Sequence, residues 1–356
     1  MASARLQQVL PFIGLTTLGA TWLLPITGPF AAFCGLAVLG VVISAVHHAE
    51  VIAARVGEPF GTLVLAIAVT GIEAGLLVSL IFVGGPGREF LARDTLYATV
   101  MIIGSGVLGL CVLLGAARHS EQSFRIEGAG PAFSALTALA VLVLIMPGFT
   151  VSAPGASYTT SQLVFVGICS LSLWCVFVFF QTVRHRDYFL PPAGDDGPEH
   201  AFVPTLRAAA WSFGFLLASL VAVIGLAKAI SPTIETAVEA FGAPRAAIGI
   251  AVALIVLLPE STAAIRAALA NRLQTSMNLA LGSALATIGL TVPIVIGVCI
   301  AFDIPLVLGL AQKDIVLLAL TLIVGTIGVV AGRTNLMYGA VQIVIFAAFL
   351  FLALVP

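Results

Sequence analysis

Apolar stretches long enough to cross a bilayer follow one another along the whole chain, separated only by short breaks of charge, proline and glycine. A spanning helix needs about 20 mostly apolar residues. Inside lipid the backbone must satisfy its own hydrogen bonds, which leaves helices and closed barrels as the only spanning structures. The breaks divide the chain into eleven stretches, roughly 9–26, 29–55, 59–84, 93–117, 129–148, 160–183, 205–229, 244–269, 275–301, 313–332 and 334–355. A transmembrane barrel would instead show alternating segments of about ten residues, and these are absent. The sequence therefore predicts an all-α integral membrane protein with eleven transmembrane helices. The first stretch follows Arg5 and reaches Pro25 without an A-x-A cleavage site, so it is expected to be a retained leading helix and not a removed signal peptide.

Composition closes off other classes. Of 356 residues, 60% are hydrophobic and 9% are charged, against about 25% charged in soluble domains. Fifteen basic and sixteen acidic residues leave a net charge of −1, which offers no basic patch for nucleic acid. A soluble enzyme and a disordered tail are excluded on the same grounds. Cys34, Cys111, Cys169, Cys175 and Cys299 all lie in apolar runs without CxxC spacing, so no zinc, haem or disulfide framework is expected. HExxH, GxSxG and GxxxxGK[ST] do not occur, which argues against an intramembrane enzyme and an ATP-driven pump. No resident cofactor is expected.

Lys and Arg accumulate on cytoplasmic connections. With the N-terminus inside, ten of them (Arg5, Arg55, Arg118, Arg125, Arg184, Arg186, Arg207, Arg266, Arg272, Arg333) fall inside and five (Arg88, Arg93, Lys228, Arg245, Lys313) outside. The expectation is N-terminus cytoplasmic, C-terminus outside. The longest break, RHRDYFLPPAGDDGPEHAFVP, is rich in proline, glycine and acid. It gives a four-part division: 1–28 a leading helix, 29–183 a first five-helix repeat, 184–204 an acidic cytoplasmic linker, and 205–356 a second five-helix repeat. The linker is either a solvated connection or a regulatory, ion-attracting segment.

Most acids sit at helix ends, but Glu73 and Glu260 do not. Glu73 is the only charge between Glu58 and Arg88, and Glu260 is isolated between Arg245 and Arg266. A charge near the bilayer centre costs at least about 2.5–3.5 kcal/mol, so such residues normally face a cavity and carry function. Glu73 lies in the third stretch and Glu260 in the eighth, the second helix of each five-helix block. The helix that follows carries Gly104-Ser105 in one block and Gly282-Ser283 in the other. An odd number of helices per repeat inverts the second block, the arrangement of secondary transporters whose ion sites lie at the midplane. Gly71 and Gly75 flank Glu73, Thr70 sits one turn before it, and Pro259 precedes Glu260. That proline removes an N–H and disturbs the carbonyl of Ile255, freeing oxygen for a ligand. Ser276, Ala280, Ser283 and Thr287 form one small, weakly polar stripe, suited to close helix packing or to ion contact, with Asn278 nearby but off it.

Carboxylate oxygen is a hard ligand, suited to Ca2+, Na+ or H+. Two facing glutamates can be neutralised by one Ca2+, by two protons, or by one Na+ and one proton. An empty, doubly charged site in low dielectric is disfavoured, so the site is expected to cross the membrane loaded: coupled antiport. Thr70, Ser105, Asn278 and Ser283 join Glu73 and Glu260 as candidate cation- or proton-binding residues, the two glutamates being the metal ligands for Ca2+ or Na+. Glu50 and His48 form a candidate proton relay or gate, or else an interfacial polar cluster that also takes in His47. Glu58 beside Pro59 suits a helix N-terminus, and Arg93-Asp94, Lys313-Asp314 and Arg333 suit interfacial anchors.

At these residues the sequence resembles a known family. GEPFGTLVLAIAVTGIE, RDTLYATVMIIGSG, LLPESTAAIRAALANRLQTSMNLALGSALATIGLTVP and KDIVLLALTLIVGTIGVVAGRTN look like the cation/proton exchangers of the Ca2+/cation antiporter superfamily, nearest to its bacterial Ca2+ (Na+, K+)/H+ branch. The resemblance implies one leading helix plus two inverted five-helix repeats joined by an acidic linker, with essential glutamates at Glu73 and Glu260 and a second-helix acid at Glu50. It implies Ca2+/H+ exchange by alternating access in a bacterial cytoplasmic (inner) membrane, with Na+/H+ and K+/H+ exchange alongside. The partners are then inorganic cations, protons and the lipid bilayer, with no nucleic acid; monomer and homo-oligomer stay open. Two departures bear on the ion. Where many members have Gly-Asn ahead of each glutamate, this chain has Val69-Thr70 and Val256-Leu257, and Ala284-Leu285-Ala286 follow Ser283 without an amide. Fewer oxygen ligands bring Na+ or K+ forward. The alternative is a passive cation channel using the same glutamates, although channel pores are usually built by subunits around an axis.

Overall fold

The computed structural model describes residues 2–57, 60–84, 87–189, 204–240, 244 and 246–355. Among them eleven helices follow in order: α1 (Ala2–Ala20), α2 (Gly28–Val56), α3 (Phe60–Val83), α4 (Arg88–His119), α5 (Ile126–Phe149), α6 (Thr160–Arg184), α7 (Leu206–Ala240), α8 (Ala246–Leu269), α9 (Leu273–Ala301), α10 (Gln312–Ala331) and α11 (Leu336–Leu354). The chain is an all-helical membrane protein. Ten of the helices are long and apolar enough to span a bilayer; α1 is the exception. A short antiparallel ladder pairs β1 (Gln122–Ser123) with β2 (Arg333–Thr334), Gln122 opposite Thr334. Glu58, Pro59, Arg245, the side chain of Arg5 and linker residues 190–203 lie outside the described residues.

Local chemistry explains several ends. Thr159 and Gln162 form a reciprocal capping box at the start of α6, and Asn335 accepts from the Met337 and Tyr338 N–H groups at the start of α11. Gly332, at φ +66°, closes α10 in the left-handed conformation that glycine adopts without strain. Two ends differ from expectation. The first apolar stretch stops being helical at Ala20, and Trp22 and Leu23 follow as an exposed turn before Pro25. α7 runs beyond Lys228 and through Pro232 to Ala240. Four helices contain a π-helical turn: Ile102–Val107 in α4, Val141–Ile145 in α5, Phe180–Arg184 in α6 and Thr287–Thr291 in α9.

The helices gather into two compact units, Met1–Arg88 with Pro198–Ile248, and Glu89–Gly197 with Gly249–Pro356. Each half of the sequence contributes to both. In the first unit α2 packs against α1, α3 and α7, and α7 also receives α1 and α3. Cys34, Val41, Ala45, Leu77, Ala222 and Leu226 form its solvent-free core. Glycine lets these helices approach closely, as lipid-embedded contacts require: a Cβ on Gly14 would meet Val41, and one on Gly225 would meet Leu18. In the second unit α4 packs on α9, α10 and α11, α5 on α9 and α10, and α6 on α9. Leu96, Met101, Leu136, Leu144, Leu285 and Ile288 are buried there.

Candidate functional site

Glu73 sits in α3 with only 1% of its surface exposed, among Ile72, Ala74 and Leu77, which are equally enclosed. A bare anion held there away from water is costly, so burial favours a neutral or partnered carboxylate. Thr70, also buried, lies three positions earlier and therefore on the same helix face. Beyond the glutamate α3 is fastened to α7. A Cβ on Gly75 would press on Ile224, and the Ser79 hydroxyl donates to the Ile224 carbonyl at 3.1 Å.

Glu260 sits differently. It is half-buried on α8, with its Oε2 oxygen shielded from solvent. Pro259 leaves the helix without one N–H immediately before the carboxylate, and the Thr262 hydroxyl donates to the Pro259 carbonyl at 2.8 Å. At the start of α8, Gly249 allows the helix to lie against the Asp94–Thr95 backbone of α4, which a Cβ would contact at 3.0 Å.

Two of the three hydroxyl candidates, Ser105 and Ser283, fall in the second unit with Glu260. Ser105 is fully buried inside the π turn of α4, where its Oγ donates to the Met101 carbonyl at 2.6 Å. Such turns leave carbonyls off the regular ladder and recur at functional sites; here a serine takes one of them. On α9, Ser276, Ala280 and Thr287 are buried and Ser283 is the accessible member of the stripe, one turn before the π turn Thr287–Thr291. The first unit thus brings Thr70 together with Glu73, and the second holds Glu260, Ser105, Asn278 and Ser283.

Two sequence candidates hold hydrogen bonds that join distant segments. Asn278 donates to the Phe189 carbonyl at 2.6 Å and accepts from the Gln274 amide at 2.9 Å, so its side chain ties α9 to the residues that precede the linker. His48 is buried at a three-helix seam. Its Nε2 lies 3.3 Å from the Gln7 carbonyl of α1, its Nδ1 3.3 Å from the Ser212 hydroxyl of α7, and its ring stacks on Phe215 at 4.9 Å. A carbonyl only accepts, which assigns the hydrogen to Nε2 and leaves Nδ1 to accept from Ser212. Glu50 is exposed. Two positions apart on a helix face nearly opposite ways, and α2 does not bring His48 and Glu50 onto one face.

The expected anchors are built as polar knots. Arg93 holds Asp94 through Nε and Nη2 at 2.8 Å, lies over the Phe90 ring at 4.6 Å and reaches the Gly309 carbonyl at 3.4 Å. Lys313 donates to the Leu352 carbonyl at 2.8 Å. Sequence reasoning missed a group of amides around the α4–α5 and α8–α9 connections: Gln122, Asn271 and Gln274, with Arg125 and His119. Gln122 Nε2 donates to the Ala268 carbonyl and to Asn271 Oδ1, both at 2.9 Å. The signal was present, since uncharged amides are rare in this chain and these cluster at two helix breaks. Among the described residues no three His, Cys, Asp or Glu side chains gather as a metal centre.

The profile of the sodium/calcium exchanger protein family matches residues 28–183 and 211–355. The chain is 46% identical over 324 residues to y4hA of Sinorhizobium fredii (strain NBRC 101917 / NGR234), a provisionally assigned ionic transporter, covering 89% of this chain and 86% of that one. It is 34% identical to the sodium-potassium/proton antiporter ChaA of Escherichia coli (strain K12), over 96% of this chain and 93% of that one. The solved structure of YfkE, a Ca2+/H+ antiporter, has the same fold, with a TM-score of 0.74 over 98% of this chain and 99% of that one at 18% identity.

Proposed function

The chain belongs to the sodium/calcium exchanger family, within the Ca2+/cation antiporter superfamily, and is a multi-pass membrane transporter rather than an enzyme; we propose that it exchanges Ca2+ for protons at Glu73 and Glu260. The observation that carries this is the enclosure of Glu73 inside a membrane-spanning helix, 1% exposed. A carboxylate so placed needs a neutralising partner, and two carboxylates match one Ca2+ or two protons in charge. The empty, doubly charged state is then the costly one, so crossing happens loaded and the two fluxes are coupled. Thr70 beside Glu73, and Ser105 and Ser283 in the unit of Glu260, are the neutral oxygens this reading assigns to the transported ion.

Na+ or K+ exchanged for protons is the second reading. It is favoured by the relative ChaA, a sodium-potassium/proton antiporter, and by Val69-Thr70 and Val256-Leu257 ahead of the glutamates, which add few oxygen ligands. The bacterial relatives and the Lys/Arg distribution support a place in a bacterial inner membrane with the N-terminus cytoplasmic, the C-terminus outside and residues 184–204 as a cytoplasmic linker between two inverted repeats. The test is purified protein in liposomes under an imposed pH gradient, with Ca2+, Na+ and K+ supplied in turn. Ca2+ uptake linked to proton release supports the first reading. Coupled Na+ or K+ movement without Ca2+ supports the second, and cation flux without proton flux sinks both.

A further inference from the structure

We propose that Gln122 is a positioning residue for Glu260, acting through the turn at the far end of α8. The inference rests on Glu260 binding the cation, as set out above. Pro259 interrupts the backbone ladder immediately before Glu260, and sharp bends in helices fall at such positions. The segment Glu260–Leu269 is therefore a short rod that follows a missing ladder bond, and its direction is set where its other end is fixed. That end is held by the α4–α5 connection. His119 Nε2 lies 3.0 Å from the Leu269 carbonyl, and Gln122 Nε2 donates to the Ala268 carbonyl and to Asn271 Oδ1 at 2.9 Å each.

Gln122 is itself immobilised. It is 3% exposed, it is paired in β1 opposite Thr334, and Gly115 leaves the space its side chain fills, where a Cβ would collide with it. Asn271 reaches it from a positive φ of 62°, a conformation that asparagine tolerates. The start of α9 is fastened by the same connection, the Arg125 N–H donating to Gln274 Oε1 at 2.6 Å, and by the segment after α6, where Asn278 donates to the Phe189 carbonyl and the Arg125 guanidinium to the Asp187 carbonyl at 2.6 Å. Bolted on both sides, the α8–α9 turn cannot pivot. At about 1.5 Å per residue the rod is roughly 15 Å long, so a tilt of about 10° at the bolt moves the Glu260 end by roughly 2.5 Å. A cation ligand does not survive that displacement.

The experiment uses full-length protein in liposomes and in detergent, with Gln122→Glu, Gln122→Ala and Asn271→Gly. Glutamate keeps the size of Gln122 and removes its N–H donors, while glycine at 271 keeps the positive φ and removes the acceptor. The expected result for both Gln122 variants is a rise of about tenfold in the KM for the transported cation together with faster hydrogen exchange at Arg266–Thr275; Asn271→Gly gives a smaller rise in both. A purely structural role lowers the amount of active protein and leaves KM alone. Faster exchange in the turn with an unchanged KM overturns the inference, and so does unchanged exchange. Should Gln122→Ala not fold, the glutamate and glycine variants decide by the same criteria. A wild-type protein without coupled exchange would count against the antiport assignment, and the hydrogen-exchange arm would still decide whether Gln122 fixes the turn.

Discussion

α3 and α8 carry the same chemistry in different settings. α3 is pressed against α7 at Gly75 and Ser79, and Glu73 is 1% exposed. α8 carries Pro259 inside an otherwise continuous helix, is fixed at its far end by amides of the α4–α5 connection, and leaves Glu260 half-buried. One glutamate thus sits on a helix held by close packing and the other directly after a helix proline. If the two played equivalent parts, nothing would require this asymmetry. It makes α3 the rigid carrier of its glutamate and α8 the adjustable one.

The largest effect is expected from the carboxylates themselves. Glu73→Gln and Glu260→Gln should each reduce coupled exchange by upward of a hundredfold, because removing one member of a buried charge pairing costs about 3–5 kcal/mol. The comparison is sharpened by thermal melts in cation-free detergent. Relieving the buried acid at 73 should raise the melting temperature more than relieving the half-buried one at 260. Retained coupled exchange in both variants would remove both residues from the site.

Next in size is Pro259→Ala. The substitution restores one N–H to the α8 ladder and removes a defect worth about 3 kcal/mol in a regular helix. The protein should melt higher and exchange several-fold more slowly, since the helix before Glu260 stiffens. A faster or unchanged exchange rate would mean that α8 moves as a rigid rod, and the contrast drawn between the two helices would fall.

These elements differ in how far the sequence exposes them. The ten spanning helices follow from apolar length alone, because bilayer thickness fixes how much chain must be apolar. Glu73 and Glu260 stand out in the sequence because each is an isolated charge inside a long apolar run, and Thr70 because it lies one turn from Glu73. The ends were harder: α1 stops at Ala20 inside an apolar run, and α7 continues through Pro232, since tertiary packing and not composition decides them. Asn278 and His48 were read as ion-handling groups, whereas their bonds to Phe189, Gln7 and Ser212 join segments from 41 to 164 positions apart. No local pattern announces a partner at that distance. The amides around Gln122 were missed for the same reason.

A smaller effect separates the two glycines beside Glu73. A Cβ at Gly71 meets nothing within 4 Å, while one at Gly75 meets Ile224 Cδ1 at 2.7 Å. Gly71→Ala should be neutral or stabilising by up to about 1 kcal/mol, and Gly75→Ala should destabilise by about 1–2 kcal/mol as α3 and α7 are forced apart. Equal melting temperatures for the two variants would show that α3 is less tightly held than its packing implies.

The smallest effect tests the hydroxyls, one from each unit. Thr70→Val removes an oxygen beside the buried glutamate without changing shape, and Ser283→Ala removes the accessible hydroxyl of α9. A neutral hydrogen-bonding or ligand oxygen is worth about 0.5–1.5 kcal/mol, or roughly two- to tenfold in affinity. On the rigid side the lost oxygen cannot be replaced by a shift of the chain, so Thr70→Val should raise the cation KM toward the upper end of that range. Ser283 shares its unit with Glu260, where adjustment at Pro259 can recover part of the loss, so its variant should sit near the lower end. The order of the two KM values, measured in the same liposomes, is what distinguishes a rigid carrier from an adjustable one; the reverse order would place the flexibility on α3.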